Sequence, residues 1–161
     1  MFMPIRIRHR DIVEEKSILI DMYNEQMAHA RHHEVLRATV SNIIIVVSAA
    51  LLGLITYDKQ INIDDLAMII FLIIVGLFGY LITMKHYQHL QRHLQRANGF
   101  VEKIEELYPL TEISRIMEEA RIKNIKEFPI LSKARLNTYW GALHIIIILL
   151  GVFLLLKVIL S

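Results

Sequence analysis

Six of the eight histidines fall in two short windows, His29, His32, His33 and His86, His89, His93. On a helix, residues four apart share a face, so His29 goes with His33 and His89 with His93. Imidazole at this spacing offers three kinds of chemistry. As an amphipathic ring it suits the headgroup layer of a membrane. As a group titrating near pH 6.5, it loosens a helix pair when several neighbouring rings become charged together. As a neutral ligand, an i,i+4 pair suits Zn²⁺ or Cu²⁺, with Glu34 the nearby carboxylate. Sequence alone leaves all three open.

Three stretches without formal charge must position these clusters: residues 38–57, 66–84 and 136–156. Each is about 30 Å long as a helix, matching the hydrocarbon layer of a bilayer. A 55% hydrophobic composition and a mean hydropathy of +0.44 are high for a soluble domain. The chain therefore reads as an all-α integral membrane protein with three transmembrane helices. An N-terminal cytosolic segment with an amphipathic helix (1–37) precedes a transmembrane hairpin (38–84, with its turn at 58–65). A cytosolic helical segment (85–135) and a third transmembrane helix (136–161) follow.

Charge orients this plan. Six Lys/Arg precede the first span and ten lie between the second and third, whereas the first loop holds only Lys59 beside three aspartates. Retention of Lys/Arg on the cytoplasmic side places the N-terminus inside and the C-terminus in the periplasm of a bacterial inner membrane. The basic residues of 85–135 are interleaved with seven acids, so they read as inner-leaflet contacts and not as a nucleic-acid surface. No apolar core follows the basic residues of 1–16, so no secretory signal is expected.

The cytosolic parts continue as helices. Leu90, Leu94, Ala97, Val101, Ile104 and Tyr108 recur at alternating spacings of four and three, a coiled-coil seam that Pro109 ends. Ile20, Tyr23, Met27 and Ala30 form a similar stripe before the first span. If the outer turn centres near Ile61, Met27 lies level with Leu94 and Ile20 with Val101. The same register sets His29 opposite His93 and His33 opposite His89. Thr111 is the expected N-cap of a further helix from Glu112 to about Asn124.

Within the spans, Ala49 and Gly53 form a small-xxx-small pattern that admits a close neighbour, and with Leu94 and Val101 they are the expected helix and oligomer contacts. Asn42 and His144 are the intramembrane polar residues, with Ser41 and Asn42 as candidate hydrogen-bond partners of His144. Tyr139 and Trp140 open the third span as interfacial aromatics. There is no cysteine, phosphate-binding glycine loop, nucleophile elbow or zinc-protease motif. No enzymatic activity, catalytic residue or cofactor is expected. Three spans without an inverted repeat argue against a transporter working as a monomer.

The stretch HARHHEVLRATVSNIIIVVSAALL (29–52), with the second span and KHYQHLQRHLQRANGFVEKIE (85–105), resembles the RipA-type small inner-membrane proteins of intracellular bacteria. The resemblance covers roughly residues 18–108. It implies a homo-oligomer, an octamer in that family, that supports growth in the host cytoplasm without established enzymatic activity. A looser similarity to the two-span SLATT effectors of bacterial defence is broken by the third span. The functions that follow are an oligomeric membrane scaffold or envelope and pH-adaptation factor, or alternatively an oligomeric pore, including a membrane-depolarising effector. The expected partners are other copies of the chain and the lipid bilayer.

The orientation has a direct check. A reporter active only in the periplasm should be active when fused at Gln60 and after Ser161, and silent at Asn124. Activity at Asn124 would overturn the charge argument.

Overall fold

The computed structural model describes residues 9–58 and 60–160, with side chains from Glu14 onward. Arg6, Arg8, Lys59 and Ser161, which figure in the charge and topology expectations, lie outside the described residues. Four helices account for most of the chain: α1 (His9–Ile55), α2 (Leu66–Leu107), α3 (Ile113–Glu127) and α4 (Leu136–Leu160). Among the described residues there is no strand. α1, α2 and α4 are each long and apolar enough to cross a membrane. The all-α, three-span reading therefore stands, with α1 and α2 as single unbroken helices.

The turn between α1 and α2 is held by reciprocal capping. Asn62 Oδ1 accepts from the Asp64 N–H at 2.8 Å, and Asp65 Oδ2 accepts from the Asn62 N–H at 3.1 Å. Together these satisfy donors that an incoming helix would otherwise leave unpaired. α2 stops at Leu107 because Tyr108, preceding Pro109, is driven out of the helical region (φ −133°, ψ 68°). Asn98-Gly99 does not interrupt it.

The chain forms two compact units. One contains the chain up to His32 with Leu90–Lys133, and the other His33–His89 with Ala134–Ser161. In the first, the polar unit, Ala30 and Ala97 are almost fully buried and Leu90, Leu94, Val101 and Ile104 half-buried. The α1 stripe differs from the expected one. Ile20 is exposed and Gln26 is buried, because the seam on α1 runs through Tyr23, Gln26 and Ala30. Lys16 Nζ lies 5.1 Å from the Tyr108 ring centre.

α3 folds back along α2 within this unit. Its N-cap corrects the expectation: Glu112, in the left-handed region at φ 47°, takes that position and makes no side-chain cap. Thr111 instead donates its hydroxyl to the Tyr108 carbonyl at 2.8 Å. The capping is supplied from α2, where the Glu105 carboxylate accepts from the Ser114 N–H at 3.2 Å and from its hydroxyl. A carboxylate at a helix N-terminus also complements the helix dipole. Along α3, Arg121 donates twice to Glu118, which holds that carboxyl below its usual range.

The second, apolar unit packs α1, α2 and α4 around Ile44, Ile55, Ile69, Leu72, Ile147 and Leu154. Its outer surface carries Ile43, Val46, Leu54, Phe71, Ile74, Phe78, Leu81, Ile146, Leu149 and Phe153, all exposed. Its interior holds Ser41, Ser48, Thr83 and His144, each buried to 3% exposure or less. An outer surface as apolar as the core, with polar side chains turned inward, departs from the usual rule for proteins in water and matches lipid as solvent.

Close approach of α2 and α4 rests on glycine. A Cβ at Gly76 would meet Ile148 Cγ1 at 2.9 Å, and one at Gly151 would meet Ile73 Cγ1 at 2.6 Å. Each helix thus receives an isoleucine of the other into a glycine notch. Gly151→Val should cost about 1–3 kcal/mol through overpacking, read as earlier unfolding on detergent titration. Gly53→Val, where a Cβ meets nothing within 4 Å, should leave the isolated chain's stability unchanged. Equal effects from the two would refute this packing scheme.

Candidate functional site

The centre of the apolar unit is a polar node joining its three helices. His144 Nε2 on α4 lies 3.2 Å from Ser41 Oγ on α1 and 3.1 Å from Thr83 Oγ1 on α2. The two hydroxyls are 3.3 Å apart. All three side chains are fully buried. His144 Nδ1 has no hydrogen-bond partner and faces Gly79, where a Cβ would approach it to 2.5 Å. An unpaired lone pair there costs less than an unpaired N–H, so the arrangement suits the neutral ring with hydrogen on Nε2, donating to the hydroxyl pair. Of the two partners expected for His144, Ser41 is in place. Asn42 points outward and is exposed. Thr83 was not anticipated, because a threonine inside an apolar run carries no distinguishing signal.

Arg37 is another buried polar residue that sequence reasoning missed. It counts towards the positive flank of the first span, yet it is only 2% exposed. Its guanidinium carbon sits 5.9 Å from the centres of both the Tyr87 and Trp140 rings. Aromatic faces partly replace water around a cation. Glu34 Oε1 is 3.4 Å from Nη2, while Nε and Nη1 lack partners. The i,i+3 spacing of Glu34 and Arg37, with an aromatic at each facing helix end, was the available clue.

The histidines divide between the units. In the polar unit, His29 and His93 stack with ring centres 5.1 Å apart. His93 Nδ1–H donates to Gln26 Oε1 at 2.8 Å, and His29 Nε2 lies 3.6 Å from Glu25 Oε1. In the apolar unit, His33 stacks on His89 at 5.0 Å and meets His86 at 5.5 Å. His33 Nδ1 and His86 Nδ1 are 3.2 Å apart. His32 is exposed on α1. The pairs His29–His93 and His33–His89 are those the hairpin register sets opposite each other. Among the described residues, no group of three or more His, Asp or Glu is placed to hold a metal ion.

The remaining expected contacts divide in the same way. Leu94 and Val101 are half-buried in the polar unit. Ala49 and Gly53 are exposed, and a Cβ at Gly53 would meet nothing within 4 Å among the described residues. With Asn42 and Val46 they lie on one outward face of α1. Compared with family models, curated proteins and solved structures, the chain matches none.

Chemically, the arrangement suits neutral imidazoles in contact and a buried hydroxyl–imidazole node. Neither set presents a nucleophile with its base in an open cleft. The notch at Gly79 is what admits the His144 ring. Gly79→Ala would press a methyl onto a ring pinned by two hydroxyls and onto Ile44 Cδ1 at 2.6 Å. It should destabilise the three-helix packing by about 1–3 kcal/mol, more than Ser41→Ala, for which membrane hydrogen bonds suggest about 0.6 kcal/mol. Detergent-titration unfolding checks the order, and a Gly79→Ala variant as stable as the parent would remove the role assigned to the notch.

Proposed function

We propose that this chain is a non-enzymatic, homo-oligomeric scaffold of the bacterial inner membrane whose helix packing responds to acid. The observation that carries the reading is the approach of His33 Nδ1 to His86 Nδ1 at 3.2 Å. A hydrogen bond between two imidazoles needs one nitrogen with its hydrogen and one without. A second proton removes the acceptor and sets two cations side by side. His89, stacked on His33, adds a third imidazole, while Arg37 one turn along α1 and Lys85 beside His86 are already positive. Glu34 is the acid adjoining His33 on α1, and half of it faces solvent. The packing is therefore favoured with neutral rings and weakens as pH falls through the ordinary histidine range near 6.5.

Self-association is supported by the outward face of α1. Asn42 presents an amide where hydrocarbon offers no partner, and Ala49 and Gly53 on the same face permit close approach. A second copy presenting the same face would satisfy both needs, with two-fold symmetry the simplest arrangement. The charge distribution supports a cytoplasmic N-terminus.

Light scattering of the purified chain in mild detergent tests both parts. At pH 7.5 an oligomer is expected, and Gly53→Leu and Asn42→Leu should each reduce its size. At pH 5.5 the parent should lose thermal stability, and a variant with His33, His86 and His89 changed to Gln should lose clearly less. A monomer at pH 7.5 would end the scaffold reading. Parallel losses in the parent and the Gln variant would end the acid response.

A further inference from the structure

Between α3 and α4 the chain makes a short, tightly folded turn whose apolar side chains are left exposed by the other described residues. Phe128, Ile130 and Leu131 are all exposed, Ile130 to 82% and Leu131 to 67%. The turn is nevertheless ordered by its own backbone. Phe128 N–H donates to the Asn124 carbonyl at 2.9 Å, Ser132 N–H to Phe128 at 2.9 Å and Lys133 N–H to Ile130 at 3.2 Å. Leu131–Lys133 closes as a turn of 3₁₀ helix. Peptide groups satisfied in this way can enter a dehydrated layer at low cost, whereas an open loop could not.

Two further observations say what covers this wedge. First, its tether is short. Leu131 precedes Leu136, the first residue of α4, by five residues, at most about 17 Å of extended chain. α4 is long and apolar enough to cross a membrane, and its opening turn carries Tyr139, exposed to 60%, and Trp140. Aromatics at that position belong at the headgroup level. The wedge cannot stray far from that level.

Second, the charge on its α4 side has one sign, whereas on the α3 side Glu127 borders Phe128 next to Lys126. From Phe128 onward the chain contains no acidic residue, and Lys133 and Arg135 separate the wedge from α4. A protein surface complementary to Phe128, Ile130 and Leu131 would not by itself call for this one-sided flank. A layer of phosphates above acyl chains would.

We infer that the Phe128–Leu131 turn is a membrane-surface anchor. Ile130 and Leu131 enter the headgroup–acyl boundary, and Lys133 and Arg135 meet phosphates of anionic phospholipid. The contact fixes the α3–α4 connection against the bilayer in addition to the spans themselves.

The chain has no cysteine, so a single spin label can be attached cleanly. Ile130→Cys is exposed and should fold normally, and Lys103→Cys, on the exposed side of α2, serves as an aqueous reference. Both full-length variants are reconstituted in nanodiscs containing phosphatidylglycerol. Collision rates with oxygen, which concentrates in lipid, and with a water-soluble nickel chelate are then compared. The oxygen-to-nickel ratio at residue 130 should exceed that at residue 103 several-fold. Equal ratios would place the turn in water and overturn the anchor. Protection from both reagents, with spin–spin broadening relieved by mixing in unlabelled chain, would place it against a second copy and overturn the anchor equally.

Discussion

A polar group inside a bilayer has no water to fall back on, and the apolar unit is organised by that constraint. Its backbone is helical throughout the three spans, which pairs every internal N–H and C=O within its own segment. While the buried Ser48 hydroxyl stays apart, three of the unit's buried polar side chains, Ser41, Thr83 and His144, one from each helix, are drawn together at one place. Separated, each would be stranded in hydrocarbon. Together they tie α1, α2 and α4 into one relative register, since a shift of any helix by one residue would turn its contributor away.

Because lipid tails are as apolar as leucine, burial of Ile or Leu between these helices gains little over exposure to lipid. What remains is shape. The glycines at 76, 79 and 151 accept Ile148, His144 and Ile73 at distances a Cβ would forbid. Close approach brings many weak contacts into range at once and also brings the node's polar atoms within hydrogen-bonding distance. Packing and polar satisfaction are thus one requirement. Gly79, which makes room for His144, acts with Gly76 and Gly151 in letting α2 approach α4.

The spans were legible in the sequence because length and absence of charge are one-dimensional properties that the bilayer imposes directly. The hairpin register was legible for a related reason. A short turn between two long helices leaves almost no freedom in which residues stand level, so His29 falls against His93 and His33 against His89. What failed depended on three-dimensional neighbours. Thr111 has the residue type of an N-cap, but Glu105 from α2 reaches Ser114 and makes it unnecessary. Arg37 has the composition of a flanking charge, but Tyr87 and Trp140 enclose it. Gln26 has the type of a surface residue, but it is buried on the seam, where His93 meets it in a hydrogen bond at 2.8 Å. Ala49 and Gly53 are a different case: they face away from this chain's own helices, so the contact expected of them is one between copies.

Within the apolar unit, the titratable groups lie where the apolar runs end. His33 precedes the first run and His86 and His89 follow the second, with Arg37 one helical turn from His33 on the same face of α1. Arg37 is almost fully buried, and among the described residues the carboxylate paired with it is Glu34, 3.4 Å away and half in solvent. A proton added to His33 therefore arrives beside a cation that is itself under-compensated, and in contact with two further imidazoles. Under the proposed acid response, each ring that charged would make the next less favourable, and the strain would be shared between helices because His33 lies on α1 and its partners on α2. Coupling of this kind turns a property of single side chains into a property of the helix pair.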